Sequence, residues 1–435
     1  MRIAVLGGGL AGLQLGRRLK ERGADFVVLE AGAEPGGLCR TLRRGAYSWD
    51  LGPHAFYSRR PESMGYYHAL PLSYARLERM VRVCHRGPDG RLYEVGYPFE
   101  NGLADLPWPH RLDCLGGYLR AAFLRRGEGD FHDLREWIVR GLGEGIARHF
   151  MLPYNEKIWD CPLERISMDL VRSKIEPETP WRILRNSFLR GSVGRPYQAR
   201  FLYPHAGAGA LTQTVAASIK DRLRTGWKVS RLLREGAGWS VLSSDGRRER
   251  VDRVVSTIPI PELLSALDSP EWAARSGRFL ANRTWFVAVG LKGDAVPGRF
   301  RSCQWVFFAG PEPFYRVSLM HNFSRGRPPV LVAEVTDKGG GPSGQELCGR
   351  VLAGLREAGM LLEEEVEFVQ ADREACSYPI QTLDLRRARG DLEDALLPLG
   401  ISLLGRSGRW EYLNTDGVFT AVDEFLSSRG AELAG

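Results

Sequence analysis

The chain opens on an apolar run that stops at glycine. Ile3-Ala4-Val5-Leu6 reads as a buried strand, Gly7-Gly8-Gly9 as a tight turn, and 10–20 as a helix with Arg17, Arg18 and Lys20 near its end. A second apolar strand, Phe26-Val27-Val28-Leu29, runs into Glu30 and Ala31. Strand, Gly-x-Gly-x-x-Gly, helix, strand and acid is the pattern of a dinucleotide-binding unit. Gly7 makes the turn, Gly9 lets the backbone approach a pyrophosphate, and Gly12 lets the helix pack on the strand. Leu10 and Ala11, at the helix start, present N–H groups and the positive dipole end to the phosphates. Glu30 stands where a carboxylate bonds a ribose hydroxyl, which fits an adenosine without a 2′-phosphate.

Farther on, the periodicity changes several times. Helical spacing covers 115–124 and 133–150, with Asp133 suited to an N-cap and Trp137, Leu142, Ile146 and Phe150 on one face. Leu211, Val215, Ile219 and Leu223 line one side of another helix. A hairpin begins at Val229, with 239–242 pairing across Asp245-Gly246, and 251–258 reads as a buried strand. Four alternating runs at 285–291, 305–308, 315–318 and 330–335 predict an antiparallel sheet. Ser343-Gly344-Gln345-Glu346 has the form of a capping box for a helix through Leu347, Val351 and Leu355. Together these predict an α/β fold: a Rossmann-like nucleotide domain with a helical insertion and an antiparallel substrate sheet. The expected division is 1–70, 200–260 and 375–435 for the nucleotide domain, 71–199 for a mainly helical cap, and 261–374 for the sheet.

Composition narrows the function. At 435 residues the chain exceeds one hydrophobic core, and 43% hydrophobic with 26% charged residues is ordinary for a globular protein. No apolar run reaches the ~18 residues of a membrane span. Arg2 before an apolar run imitates a signal peptide, but the glycines belong to the nucleotide unit and no small-residue cleavage site follows, so a cytoplasmic protein is expected. The seven cysteines are scattered without a Cys-x-x-Cys pair, so neither a disulfide framework nor a metal is expected. Cys39 is read either as a small buried residue or as a cofactor contact. The net charge of +8 is carried by dispersed arginines, which argues against nucleic acid and suits an anionic small-molecule substrate. The sequence does not specify an oligomeric state, and a homo-oligomer is compatible with it.

Motifs after Glu30 choose the cofactor. Gly36-Gly37-Leu38-Cys39-Arg40-Thr41 and Asp50-Leu51-Gly52-Pro53-His54 resemble the extended FAD signature of the flavoprotein superfamily that holds amine oxidases, protoporphyrinogen oxidase and UDP-galactopyranose mutase. The resemblance implies FAD, with Gly37, Leu38 and Arg40 beside the diphosphate, Gly52, Pro53 and His54 near the isoalloxazine, and the Val229 backbone at the adenine. Tyr154-x-x-Lys157-x-Trp159 and Tyr203-Pro204-x-x-Gly207-x-Gly209 are similar to segments of the mutase and its polysaccharide-cluster relatives. There Trp159 and Lys157 would face the sugar phosphate, Tyr203 would line the substrate site, and the glycines would approach the flavin edge. Phe314-Tyr315-Arg316 resembles an aromatic-arginine pair that faces the substrate diphosphate. Read from the residues alone, an arginine on a buried strand takes either an anionic ligand or a buried carboxylate, just as Lys157 and Trp159 suit either a sugar site or a core. Gly405-Arg406-x-Gly408-x-x-x-Tyr412-x-Asn414-x-Asp416 is similar to the mutase's C-terminal motif. Arg406 and Tyr412 would border flavin and substrate phosphates, with Gly405, Asn414 and Asp416 on the cofactor side. Asn414 stands in place of the motif's first aspartate, and Asp160 in place of a glycine. A second diphosphate arginine is missing in register, with Arg172 and Lys174 nearby.

The resemblance implies an FAD enzyme acting on a nucleotide-activated sugar, with Arg316, Arg406, Tyr412, Trp159 and His54 as the reactive-site set. Two other readings stay open: an oxidoreductase taking a hydride from a small molecule, and a non-catalytic flavoprotein subunit.

Overall fold

The computed structural model describes residues 1–435 apart from 53, 125–130, 170–179, 188–199, 294, 296–299, 325 and 434–435. Pro53, Arg172, Lys174 and the arginine-rich stretch at 190 and 195 therefore lie outside the described residues.

Five parallel strands form the nucleotide-binding sheet, in the order Ile401–Leu403, Arg253–Ser256, Arg2–Leu6, Asp25–Leu29 and Leu223–Arg224. Arg2–Leu6 sits at its centre, with Leu6 level with Leu29 on one side and Ser256 on the other. That position explains the unbroken apolar run, since Ile3 to Leu6 are fully buried. The first helix spans Leu10–Glu21 and packs on this sheet. A three-stranded antiparallel ribbon, Val229–Glu235, Gly238–Ser243 and Arg248–Val251, leads from one edge strand back to the centre.

A seven-stranded sheet forms the other half, ordered Val366–Pro379, Ala281–Leu291, Val330–Thr336, Arg316–Leu319, Trp305–Phe308, Val81–Arg86 and Leu92–Gly96. The four expected strands are present. Leu92–Gly96, within the stretch 91–99 whose alternation reads as a hairpin strand, and Val81–Arg86 before it extend them, with Val81–Arg86 parallel to Trp305–Phe308. Val366–Pro379 runs the full length of Ala281–Leu291 and reaches the cleft between the two sheets with its last residues.

Three local expectations are corrected. Ser343 makes no side-chain cap, and Glu346 bonds Arg350 one turn on. Leu223 is not helical: the helix ends at Ser218, and Leu223 pairs with Val28 as an edge strand. The 133–150 segment starts as read, with the Asp133 carboxylate accepting from Glu136 N, but wide π-type turns and Gly143, at φ 86°, break it into short pieces.

Candidate active site

The cleft between the two sheets encloses a cavity of about 450 Å³. Its outer end is built by the glycine turn. A Cβ on Gly12 would lie 2.0 Å from the Gly7 carbonyl oxygen, so the helix crosses the turn at a distance that excludes any side chain. Gly9 caps the helix without a side-chain bond, leaving the helix start open toward the cavity. Glu30 is clamped by two backbone amides, Gly8 N to Oε2 at 2.6 Å and Gly32 N to Oε1 at 2.7 Å, which hold the carboxylate in the wall.

Along the cavity runs the signature loop. Arg40 donates to the Gly37 carbonyl at 2.9 Å and to Glu374 Oε1 at 2.7 Å, bridging the loop to the long strand of the seven-stranded sheet. Asp50 is fully buried and accepts from Thr41 Oγ1 at 2.6 Å, Tyr203 Oη at 2.7 Å and Ala208 N at 3.3 Å. This carboxylate ties three segments together behind Gly52 and His54. Burial alone would lower the His54 imidazole, but Cys39 and Asp50 outweigh it and raise it to about 9.

The inner end is an aromatic and cationic floor. The rings of Tyr378 and Tyr412 stack with centroids 5.9 Å apart, and the Arg406 guanidinium lies over both, 4.9 and 4.6 Å from their centroids. Arg406 also donates to the carbonyls of Leu413 and Ser377. Behind this floor, Arg316 makes a bidentate pair with Glu334 and donates to Tyr378 Oη at 2.9 Å. Trp159 meets the Tyr378 ring edge-on at 6.4 Å. The turn into the floor is made by Trp410, buried at φ 54° and held by its indole N–H on the Leu280 carbonyl and by Gln381 on its own carbonyl. That reversal brings Tyr412, Leu413 and Asn414 to the cavity.

Most expected cofactor residues converge on this one cavity: Gly7, Gly9, Leu10, Ala11, Glu30, Ala31, Gly37, Leu38, Arg40, Gly52, His54, Arg406, Tyr412 and Asn414 all line it. Others stand outside its walls. Gly12 and Gly405 pack the helix ends, and Val229 starts the ribbon opposite Ser243. The Asp416 carboxylate accepts from Ser58 at 2.8 Å. Tyr203 and Tyr315 are buried behind the cleft, bonded to Asp50 and Glu334. The glycines after Tyr203 serve packing: a Cβ on Gly207 would lie 2.3 Å from Thr41 Oγ1, and one on Gly209 2.6 Å from Thr41 N. Lys157 donates to the Gly310 carbonyl at 2.9 Å, and burial pushes its ammonium down to about 8 against the opposing pull of Glu312. Cys39 is both buried and in the wall. Glu374, Cys376, Tyr378 and Phe286 also line the cavity and were not read as site residues. Arg40 and Glu374 are 334 positions apart, so no local pattern links them.

These features define a flavoprotein. The chain belongs to the flavin-containing amine oxidoreductase family, whose model matches residues 10–365. It is an FAD-dependent enzyme. The crystal structure of a reduced UDP-galactopyranose mutase superposes with a TM-score of 0.90 at 26% identity, covering 99% of this chain and 94% of that one. A structure described as a putative protoporphyrinogen oxidase from Exiguobacterium sp. 255-15 superposes at 0.75 with 17% identity, covering 99% of each chain. Among curated proteins, the coproporphyrinogen III oxidase of Mycobacterium tuberculosis (strain ATCC 25618 / H37Rv) is 22% identical over 335 residues, 71% of this chain and 70% of that protein.

The residues present fit FAD. Among the described residues, His54 Nδ1 and Arg406 Nε are buried nitrogens without a partner, and both belong to residues of the cavity wall. The open helix start and the clamped Glu30 supply the adenosine diphosphate end.

Proposed function

We propose that this enzyme acts on a nucleotide-activated sugar, by mutase-like isomerisation of the sugar ring. The carrying observation is the floor at the inner end of the cavity, where Arg406 lies over Tyr378 and Tyr412. A cation between two phenols suits a diphosphate next to a sugar, whereas oxidation of an apolar amine calls for an uncharged tunnel or cage. The similarity to a UDP-galactopyranose mutase over nearly the whole chain supports the same reading.

Bound FAD supplies an electron-rich centre when reduced and a hydride acceptor when oxidised. The protein's own part is binding and orientation. Arg406 neutralises a phosphate. Arg316 donates into the Tyr378 oxygen, so the phenol proton is turned away from Arg316 and is free to donate to a phosphate oxygen. Trp159, edge-on to Tyr378, adds an apolar wall behind it. We place the reaction in the cytoplasm: all seven cysteines are free thiols, and among the described residues no helix is long and apolar enough to cross a membrane.

One observation favours a second reading. Glu334 matches the charge of Arg316, which leaves less net positive charge behind the floor than the arginine count suggests. Oxidation of a less charged small molecule, as in the oxidase relatives, draws on that balance. Calorimetric titration with UDP, UDP-sugars and amines separates the two. Binding of the nucleotide diphosphates that falls at least tenfold in Arg406→Ala supports the first reading, and amine binding without nucleotide binding supports the second.

A further inference from the structure

Three histidines meet away from the flavin cleft. His85 lies on the strand Val81–Arg86, His110 in the first turn of the helix Trp108–Leu124, and His149 in the turn Ala147–Met151. One ring nitrogen of each lies within 4.8 Å of the other two. His85 Nε2 and His110 Nδ1 are 2.7 Å apart, and the rings of His110 and His149 have centroids 4.0 Å apart. None of the three lines the flavin cavity.

The hydrogen bonds around the cluster set its tautomers. His149 Nε2 faces Asp113 Oδ2 at 2.9 Å, so the carboxylate takes that N–H and the other ring nitrogen keeps its lone pair. Asp113 is held in turn by Arg148 at 3.0 Å. His85 is bonded to the backbone at His149, which occupies one ring nitrogen and leaves Nε2 to His110. Each of these two imidazoles thus has its N–H taken by an oxygen and its lone pair left over. A carboxylate or a backbone carbonyl holding the far nitrogen is the arrangement found around metal-bound histidines. The only proton between His85 and His110 is the one they share, and a cation can replace it.

We propose that His85, His110 and His149 bind one divalent transition-metal ion, with zinc the best match to three imidazoles, and that Asp113 orients His149 for it. In a tetrahedral site nitrogens about 2.1 Å from the ion lie about 3.4 Å apart, so the set closes on an ion when the widest pair draws in by up to about 1.4 Å and His85 and His110 part by about 0.7 Å. His110 and His149, the less buried two, are the rings with room to turn. A water completes the tetrahedron. The ion would reinforce the hydrogen bonds that already tie the strand Val81–Arg86 to the two helical segments, as a structural staple remote from the flavin. Cysteine spacing could not reveal it, since its ligands are histidines at 85, 110 and 149 with no shared motif.

The test uses FAD-loaded enzyme stripped with a chelator and then titrated with Co²⁺ and Zn²⁺ near pH 7.5. One equivalent of Co²⁺ should bind with visible bands of a tetrahedral nitrogen site, and Zn²⁺ should displace it and raise the unfolding midpoint. His149→Gln should lose binding by more than tenfold while the flavin spectrum stays unchanged. Asp113→Asn should keep the stoichiometry but weaken affinity by about 10- to 100-fold. His132→Gln, an exposed histidine outside the cluster, should change neither. Absence of one-to-one binding, or equal binding in His149→Gln and the parent, would overturn the assignment and leave a metal-free hydrogen-bonded histidine cluster.

Discussion

Arg316 and Glu334 stand directly opposite each other on neighbouring antiparallel strands and share two hydrogen bonds of 2.6 Å. Glu334 is fully buried and also accepts from Tyr315 Oη at 2.8 Å. The sequence allowed an anionic ligand or a buried carboxylate as the partner of Arg316, and the structure supplies the carboxylate. Breaking such a pair from one side strands the other charge. Glu334→Gln should therefore lower stability by about 3–5 kcal/mol, read from urea unfolding. The double variant Arg316→Met, Glu334→Leu should recover most of that loss. Equal stability of Glu334→Gln and the parent would mean that the pair carries no structural weight.

Gly9 separates folding from cofactor retention. A Cβ there would meet only the Gly37 Cα, at 4.0 Å, so the apoprotein has room for a side chain. The space beyond is the cavity itself. Gly9→Val should purify folded by circular dichroism but colourless, with loss of the flavin absorbance near 450 nm. A yellow variant would move the pyrophosphate away from the glycine turn.

Lys157 gives a pH signature. Its folded value of about 8 lies below the ordinary 10.5, so between those two values the unfolded chain binds a proton that the native state does not. Stability contributed through Lys157 must then rise as pH goes from about 8 to 10.5 and stay flat below that window. The difference in unfolding free energy between Lys157→Met and the parent should accordingly be largest at pH 7 and shrink across the same window. A pH-independent difference would show that the ammonium is not disfavoured by its surroundings.

Much of this was legible from residues close in sequence. The glycine turn, Glu30, Arg40, His54 and Arg406 sit in short motifs whose spacing is dictated by one ligand, and they meet on one cavity. What stayed hidden depends on distant contacts. Tyr203 and the glycines after it look like cleft residues, but Asp50 and Thr41 claim them, and nothing in the local pattern tells a packing glycine from a ligand-facing one. Glu374 and Tyr378 reach the cavity because Val366–Pro379 runs the length of its neighbour, a register that only the assembled sheet sets. The alternation at 91–99 marks the strand Leu92–Gly96, but its partner Val81–Arg86 lies in a stretch of irregular composition and joins the sheet only through the fold.

The most direct test of the account is to incubate the enzyme anaerobically with UDP-galactopyranose and a panel of other nucleotide sugars, with and without dithionite, and to separate the products by chromatography. The account predicts an isomeric nucleotide sugar formed only with the reduced enzyme, lost in Arg406→Ala, with no net oxidation. Absence of any isomer, together with bleaching of the oxidised flavin by an amine, alcohol or porphyrinogen, would contradict it and place the enzyme among the hydride-taking members of its family.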